Sequence, residues 1–189
     1  MSNIQNNQSG FTLVEMLVAI AIFVTSLTAV SAIFMYSNKS QRATEVISEV
    51  QSDARFALEV MAQQIRKSSI DYASSQYGGI IDSNPEEVLV LRDSNNNQVW
   101  FRRSASSGRG IIEMSENGTA WVDLTPPDIK IDLLKFYISP SEDPFSSNPN
   151  SNKQPLVTIV MASSSTDYAG ENIVPAFLQT TVSSRQYIR

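Results

Sequence analysis

From Met16 to Tyr36 the chain runs for 21 residues without a formal charge. An α-helix of that length, rising about 1.5 Å per residue, spans about 31 Å, the thickness of a bilayer's hydrocarbon core. No Gly falls between Gly10 and Gly78 and no Pro before Pro85, so nothing local stops a helix that begins here. Immediately before the run stands a carboxylate, Glu15. A charge carried into the bilayer centre costs about 2.5–3.5 kcal/mol on insertion scales, so this one needs a purpose or a partner.

A cleaved secretory signal is the first competitor, and its features are missing. Its apolar core usually covers about 7–15 residues, behind a positively charged start and ahead of a small-residue cleavage site. Here the apolar run is longer, and the residues before it, MSNIQNNQSG, contain no Lys or Arg. The helical pattern also continues through Lys39 instead of opening into a flexible mature start.

Beyond Tyr36 the helix turns amphipathic. Ala43, Val46, Ile47, Val50, Ala54, Ala57, Leu58, Met61 and Ile65 fall at helical spacing and predict an apolar face, with Arg42, Glu45, Glu49, Asp53, Arg55 and Arg66 mostly off it. One helix from about Phe11 to Ser69 is expected, about 90 Å long, with one half in lipid and the other under a head. After Tyr72 short strands alternate with polar turns. Val88–Leu91, the turn DSNNN and VWFR read as a hairpin, and Ile111–Met114 and Ala120–Leu124 flank the turn SENG. After Pro126–Pro127, Ile129, Ile131 and Leu133, then a break of phase before Phe136 and Ile138, predict a longer strand. PLVTIVMA and FLQTTVSSR supply two more, and residues 139–154, ahead of both, read as an exposed loop. The fold class expected is α+β, a long N-terminal helix packed on an antiparallel β-sheet head.

Composition removes whole classes of chemistry. The chain has 189 residues, no Cys and no His, so disulfides, thiolate nucleophiles, Cys/His metal sites and His-based dyads are excluded together. Scattered basic residues and a net charge of −5 leave no footprint for nucleic acid. Acidic positions Asp82, Glu86–Glu87, Asp93 and Glu142–Asp143 suggest oxygen ligands for calcium, but DSNNN lacks the glycine and closing glutamate of a helix–loop–helix calcium loop, and a plain turn is favoured. Trp100, Phe101 and Trp121 suggest a ligand platform, against the commoner reading of core or cross-strand aromatics. Asn117-Gly118-Thr119 fits a glycosylation sequon, though Asn-Gly is first a turn. No Ser-Lys or Tyr-based constellation stands out, so no enzyme, cofactor or metal is expected.

Gly10, Phe11, Thr12-Leu13 and Glu15, followed in order by the apolar run, make GFTLVEMLVAIAIF resemble the type III signal of the type IV pilin family. The resemblance implies that a membrane aspartyl peptidase, the prepilin peptidase, cuts after Gly10 and that the new amino terminus of Phe11 is methylated. It also implies that Glu15 receives the Phe11 ammonium of a neighbouring subunit during assembly. The usual leader of that family carries Lys or Arg and this one does not. The absence of a Pro in the membrane half fits a minor subunit or pseudopilin. QSDARFALEVMAQQIRKSS, Trp121-Val-Asp-Leu-Thr and LQTTVSSR resemble, in polar–apolar texture, the J-type minor pseudopilin and its type IV pilus counterparts.

The organisation implied is a leader over residues 1–10, a transmembrane and assembly helix over 11–36, an amphipathic helix half over 37–70 and a β-sheet head over 71–189. The function implied is a non-enzymatic subunit that initiates or caps a pilus or pseudopilus. Its partners would be other pilin or pseudopilin subunits, the prepilin peptidase, the membrane and an inner-membrane assembly platform, with the head outside the cytoplasm. A pilus-borne adhesin using the loop from Ser139 to Gln154, and a major structural pilin, are the alternatives.

Overall fold

The computed structural model describes residues 10–77, 81, 84–105, 108–145, 153–165 and 175–185. The proposed leader residues 1–9 and the acidic position Asp82 therefore lie outside the described residues, as do residues 146–152 of the predicted loop. The chain divides into two compact units, Met1–Glu45 and Val46–Arg189.

The first unit holds the start of a single helix, α1 (Leu13–Lys67, 55 residues), which begins and ends within two residues of the expected limits. Its apolar side chains here have no protein cover: Leu13 is 82% exposed and Phe34 66%. This stretch is long and apolar enough to cross a membrane, and none of it is buried by protein. The polar side chains within it look after themselves. Thr25 Oγ1 donates to the carbonyls of Ala21 (3.0 Å) and Ile22 (2.9 Å), Ser26 to Ile22 (2.8 Å), Thr28 to Thr25 (2.8 Å) and Ser31 to Leu27 (2.8 Å). Each hydroxyl is thus satisfied within its own helix, as hydrocarbon surroundings demand.

The second unit joins the rest of α1 to eight strands. β1 (Ser69–Ile70), β2 (Val88–Arg92), β3 (Gln98–Ser104), β4 (Ile111–Glu116) and β5 (Ala120–Asp123) form an antiparallel sheet in that order. β6 (Ile129–Ser139), β7 (Leu156–Ser165) and β8 (Ala176–Ser183) form a second, also antiparallel. The α+β class is as expected, but the head has two sheets where one was predicted. The division falls at the connection that holds Pro126–Pro127, after which β6 pairs with β7 and not with β5. The break of phase along β6 comes earlier than expected, as a register shift between Ile131 and Leu133 that leaves Leu133 half-buried, turns Leu134 inward and keeps Phe136 and Ile138 in the core.

One continuous core unites the layers. Val50, Ala54, Ala57, Leu58, Met61 and Ile65 come from α1, Leu89, Leu91, Phe101 and Ile112 from the first sheet, and Phe136, Ile159 and Met161 from the second. The buried face departs from the predicted one at two positions. Ile47 remains 42% exposed, and burial on α1 becomes complete only from Val50, while Ala62, off the predicted stripe, is buried. The helix also stops at Lys67 rather than Ser69, because Ile70 enters the ladder opposite Leu91. Its end is held by Ser184, whose hydroxyl donates to the Ser68 carbonyl at 2.6 Å.

The sheets are stitched at two points. Glu86 and Phe136 exchange backbone hydrogen bonds of 2.8 and 2.9 Å, and Ile131 N–H donates to the Gly110 carbonyl at 2.7 Å. Tyr77 fastens the segment before β2: its hydroxyl donates to Val88 O (3.1 Å) and accepts from Val90 N–H (2.7 Å). Burial, with the nearby Glu86 and Asp71 charges, pushes the Tyr77 hydroxyl well above its ordinary pKa, so it stays protonated and able to donate.

Candidate processing and assembly site

Gly10 and Phe11 precede the helix and are exposed, Phe11 by 79%. Nothing lies within 4 Å of where a Cβ on Gly10 would stand, and its φ is outside the left-handed region. Among the described residues the fold itself therefore makes no demand for glycine there. A requirement for glycine at this position would have to come from something that approaches the chain from outside.

Thr12 and Glu15 set where the helix starts. Glu15 N–H donates to Thr12 Oγ1 at 3.2 Å, and Thr12 N–H donates back to Glu15 Oε2 at 3.4 Å. This is a reciprocal capping box, which satisfies two of the four N–H groups that a helix start leaves without partners. Where water is scarce those two bonds matter more, because an unsatisfied amide in hydrocarbon costs several kcal/mol. Thr12 is not visible to arguments from charge or hydropathy. Its signature is the T-x-x-E spacing from Thr12 to Glu15. Glu15 thus has an intramolecular partner in the single chain, and its carboxylate lies in the first turn, where the helix dipole favours negative charge. The capping box holds the Gly10–Phe11 peptide just outside the helix, at an exposed N-terminal end.

The other candidate residues resolve into structure. Asp93 Oδ1 accepts from the N–H groups of Asn95 and Asn97, both at 2.8 Å, so its carboxylate closes the β2–β3 turn. Among the described residues no group of three or more acidic side chains is arranged to hold a metal. Glu87 pairs with Lys135 at 2.6 Å, and the hydrogen bond and charge of that lysine hold its carboxyl below the usual range. Asn117 and Gly118 have φ of 64° and 72°, the mirror-image turn that Asn-Gly predicts between β4 and β5.

The three aromatics do not form a platform. Phe101 is fully buried in the core, while Trp100, its neighbour along β3, necessarily faces the opposite side of the sheet. Trp100 and Trp121 lie in one cross-strand row, separated by Ser115. Arg102 stacks 3.6 Å from the Trp121 ring centroid while its Nε donates to the buried Glu113 at 2.8 Å, so the guanidinium is held by a ring on one side and a carboxylate on the other.

Beside the described part of the predicted loop is a cleft of about 280 Å³ bordered by Asp71, Tyr72, Arg92, Asn96, Asp143 and Phe145. Its polar groups are engaged with one another or with neighbours. Asp71 Oδ2 accepts from Arg92 (2.6 Å) and Gln98 (2.7 Å), Arg92 also donates to Asn96 Oδ1 (2.9 Å), and the Tyr72 hydroxyl donates to Pro140 O (3.0 Å). Burial, and then the charge of Asp143, push Tyr72 above its ordinary pKa.

Comparison with known families places the N-terminal geometry in context. The family described as the prokaryotic N-terminal methylation motif matches residues 5–31, a stretch that contains Gly10, Phe11, Thr12, Glu15 and the start of the apolar span. No match is found among curated proteins or among solved structures. The N terminus carries a type IV pilin-like prepilin signal, joined to a helix apolar enough to cross a membrane.

Proposed function

We propose that this chain is a structural, non-enzymatic subunit of a type IV pilin-type fibre, made as a single-pass membrane protein with its head outside the cytoplasm. Prepilin peptidase cuts it after Gly10, and Phe11 is methylated. The observation that carries the reading is the coincidence of three features at one point. A matched methylation motif, an exposed Gly10–Phe11 peptide outside the helix, and an uncovered apolar span follow one another without interruption. The proposed divisions are leader 1–10, assembly helix 11–36, amphipathic half 37–70 and head 71–189.

Within that reading the role is that of a minor pilin or pseudopilin that initiates or caps the fibre, docking with other pilin-type subunits and with the inner-membrane platform. The texture of the amphipathic helix and of the closing strand supports this role, as does an assembly helix with no Pro. The capping box gives Glu15 two tasks in sequence. In the lone subunit it accepts from its own Thr12 N–H; in the fibre it meets the Phe11 ammonium of a neighbour, where low dielectric strengthens an ion pair.

Gly10 supplies the test. A bulky side chain there meets nothing in the chain itself, so Gly10→Val should fold and insert normally. Co-expressed with a prepilin peptidase, the wild-type chain should shift to a shorter form on a gel while Gly10→Val accumulates at full length. Equal processing of the two would remove the assigned cleavage site.

A further inference from the structure

We propose that β8 is a self-association edge, at which a second copy of the chain adds its own β8 as an antiparallel strand. This goes beyond the reading of the N terminus and does not rest on it.

A sheet edge exposes a row of N–H and C=O groups that only water or another extended backbone can satisfy, and proteins normally blunt such edges. Among the described residues the two sheets have four edges, and three of them are blunted. β1 has two residues, and β5 has four and ends on Asp123. β6 carries Lys130, Asp132 and Lys135, is bulged between Ile131 and Leu133, and has its outer side taken up by the Glu86–Phe136 bridge and the bond from Ile131 N–H to Gly110. β8 has none of these devices. Its sequence, AFLQTTVS, contains no charge and no Pro over eight residues.

The edge is also held ready. β8 pairs with β7 in unbroken register from Leu156–Ser183 to Ser163–Ala176. Beyond its end, Ser184 N–H donates to Pro155 O at 3.0 Å and the Ser184 hydroxyl caps α1. Among the described residues no backbone hydrogen bond reaches its outer side. Phe177, at the start of the strand, is 71% exposed.

Charge selects the occupant. Among the described edges of this chain only β8 is both uncharged and long enough to lie against another β8 along its whole length, setting Phe177, Gln179 and Thr181 in one row with the same uncharged side chains of the second copy. Two β8 strands related by a twofold axis form a closed, self-complementary contact that joins two three-stranded sheets into one. Eight residues a side is a small interface, so the association is weak and depends on concentration.

The test uses the full chain in detergent micelles, followed by sedimentation over a range of concentrations. Dimers should appear as concentration rises. Gln179→Lys with Thr181→Lys puts like charges on exposed positions of the paired strands and should weaken dimerisation about tenfold or more, with circular dichroism unchanged. Because the chain has no cysteine, Gln179→Cys provides a unique thiol, and a short bis-maleimide should link it into dimers, whereas Val122→Cys on β5 should not link. A monomer at every concentration would overturn the proposal. So would a dimer that survives the lysine substitutions, which would point to the apolar helix instead.

Discussion

Replacing Glu15 by Gln should yield a protein that inserts in the membrane and is cut after Gly10 but fails to enter fibres. The capping box makes this substitution informative. A glutamine at the third helical position can still reach back to the Thr12 N–H, so the helix start survives and only the charge is lost. Losing that charge eases insertion by up to about 3 kcal/mol on insertion scales, so a defect cannot be assigned to targeting. In the fibre it would strand a Phe11 ammonium, and removing one partner of a buried ion pair costs roughly 3–5 kcal/mol, a factor of more than a hundred in occupancy. Glu15→Ala should be worse, because it loses the box as well. The measurement is the ratio of processed protein in sheared fibres to that left in membranes, with Glu15→Asp as a control for charge. Normal incorporation of the Gln variant would show that the carboxylate is not the assembly contact.

Gly110→Ala should destabilise the head strongly for a change of one methyl group. A Cβ at this position would overlap the Ile131 carbonyl oxygen and stand 2.5 Å from Arg103 Nε. Neither neighbour can give way easily. Arg103 Nε already donates to that same Ile131 carbonyl at 2.6 Å, and Ile131 N–H donates to Gly110 O. The methyl therefore forces apart the stitch between the two sheets, an overpacking cost of about 3 kcal/mol with broken hydrogen bonds in addition. For a unit of this size that corresponds to a melting temperature lower by roughly 6–12 °C. Thermal unfolding followed by circular dichroism checks it, with exposed Val122→Thr as a control that should not move. An unchanged melting temperature for Gly110→Ala would mean the sheets are not held at this point.

What could be read in advance divides along physical lines. The helix was legible because 3.6-residue periodicity and the lack of Gly or Pro are local properties, and its limits were missed by only two residues at each end. Hairpins were legible where turn chemistry is strict, as at Asn117-Gly118, and a phase break was legible in β6, although the bulge falls before Leu133 and not after it. The split into two sheets was not, because it depends on pairings between residues far apart, such as Glu86 with Phe136. Ile47 belongs to the apolar period but lies beyond the reach of the core, which periodicity alone cannot show. At the N terminus the chemical residues Gly10, Phe11 and Glu15 stood out by pattern and cost. Thr12 was part of the pattern, but its capping role did not stand out, because a capping threonine carries neither charge nor strong hydropathy and that role is recognised only through its partner.

The most direct test of the account is the mass of the N-terminal peptide from protein recovered out of the membrane or fibre of a host that has the prepilin peptidase. The chain should begin at Phe11, with its amine methylated and nothing upstream of it. A peptide that retains Gly10, or a chain still beginning at Met1 in assembled material, would contradict it.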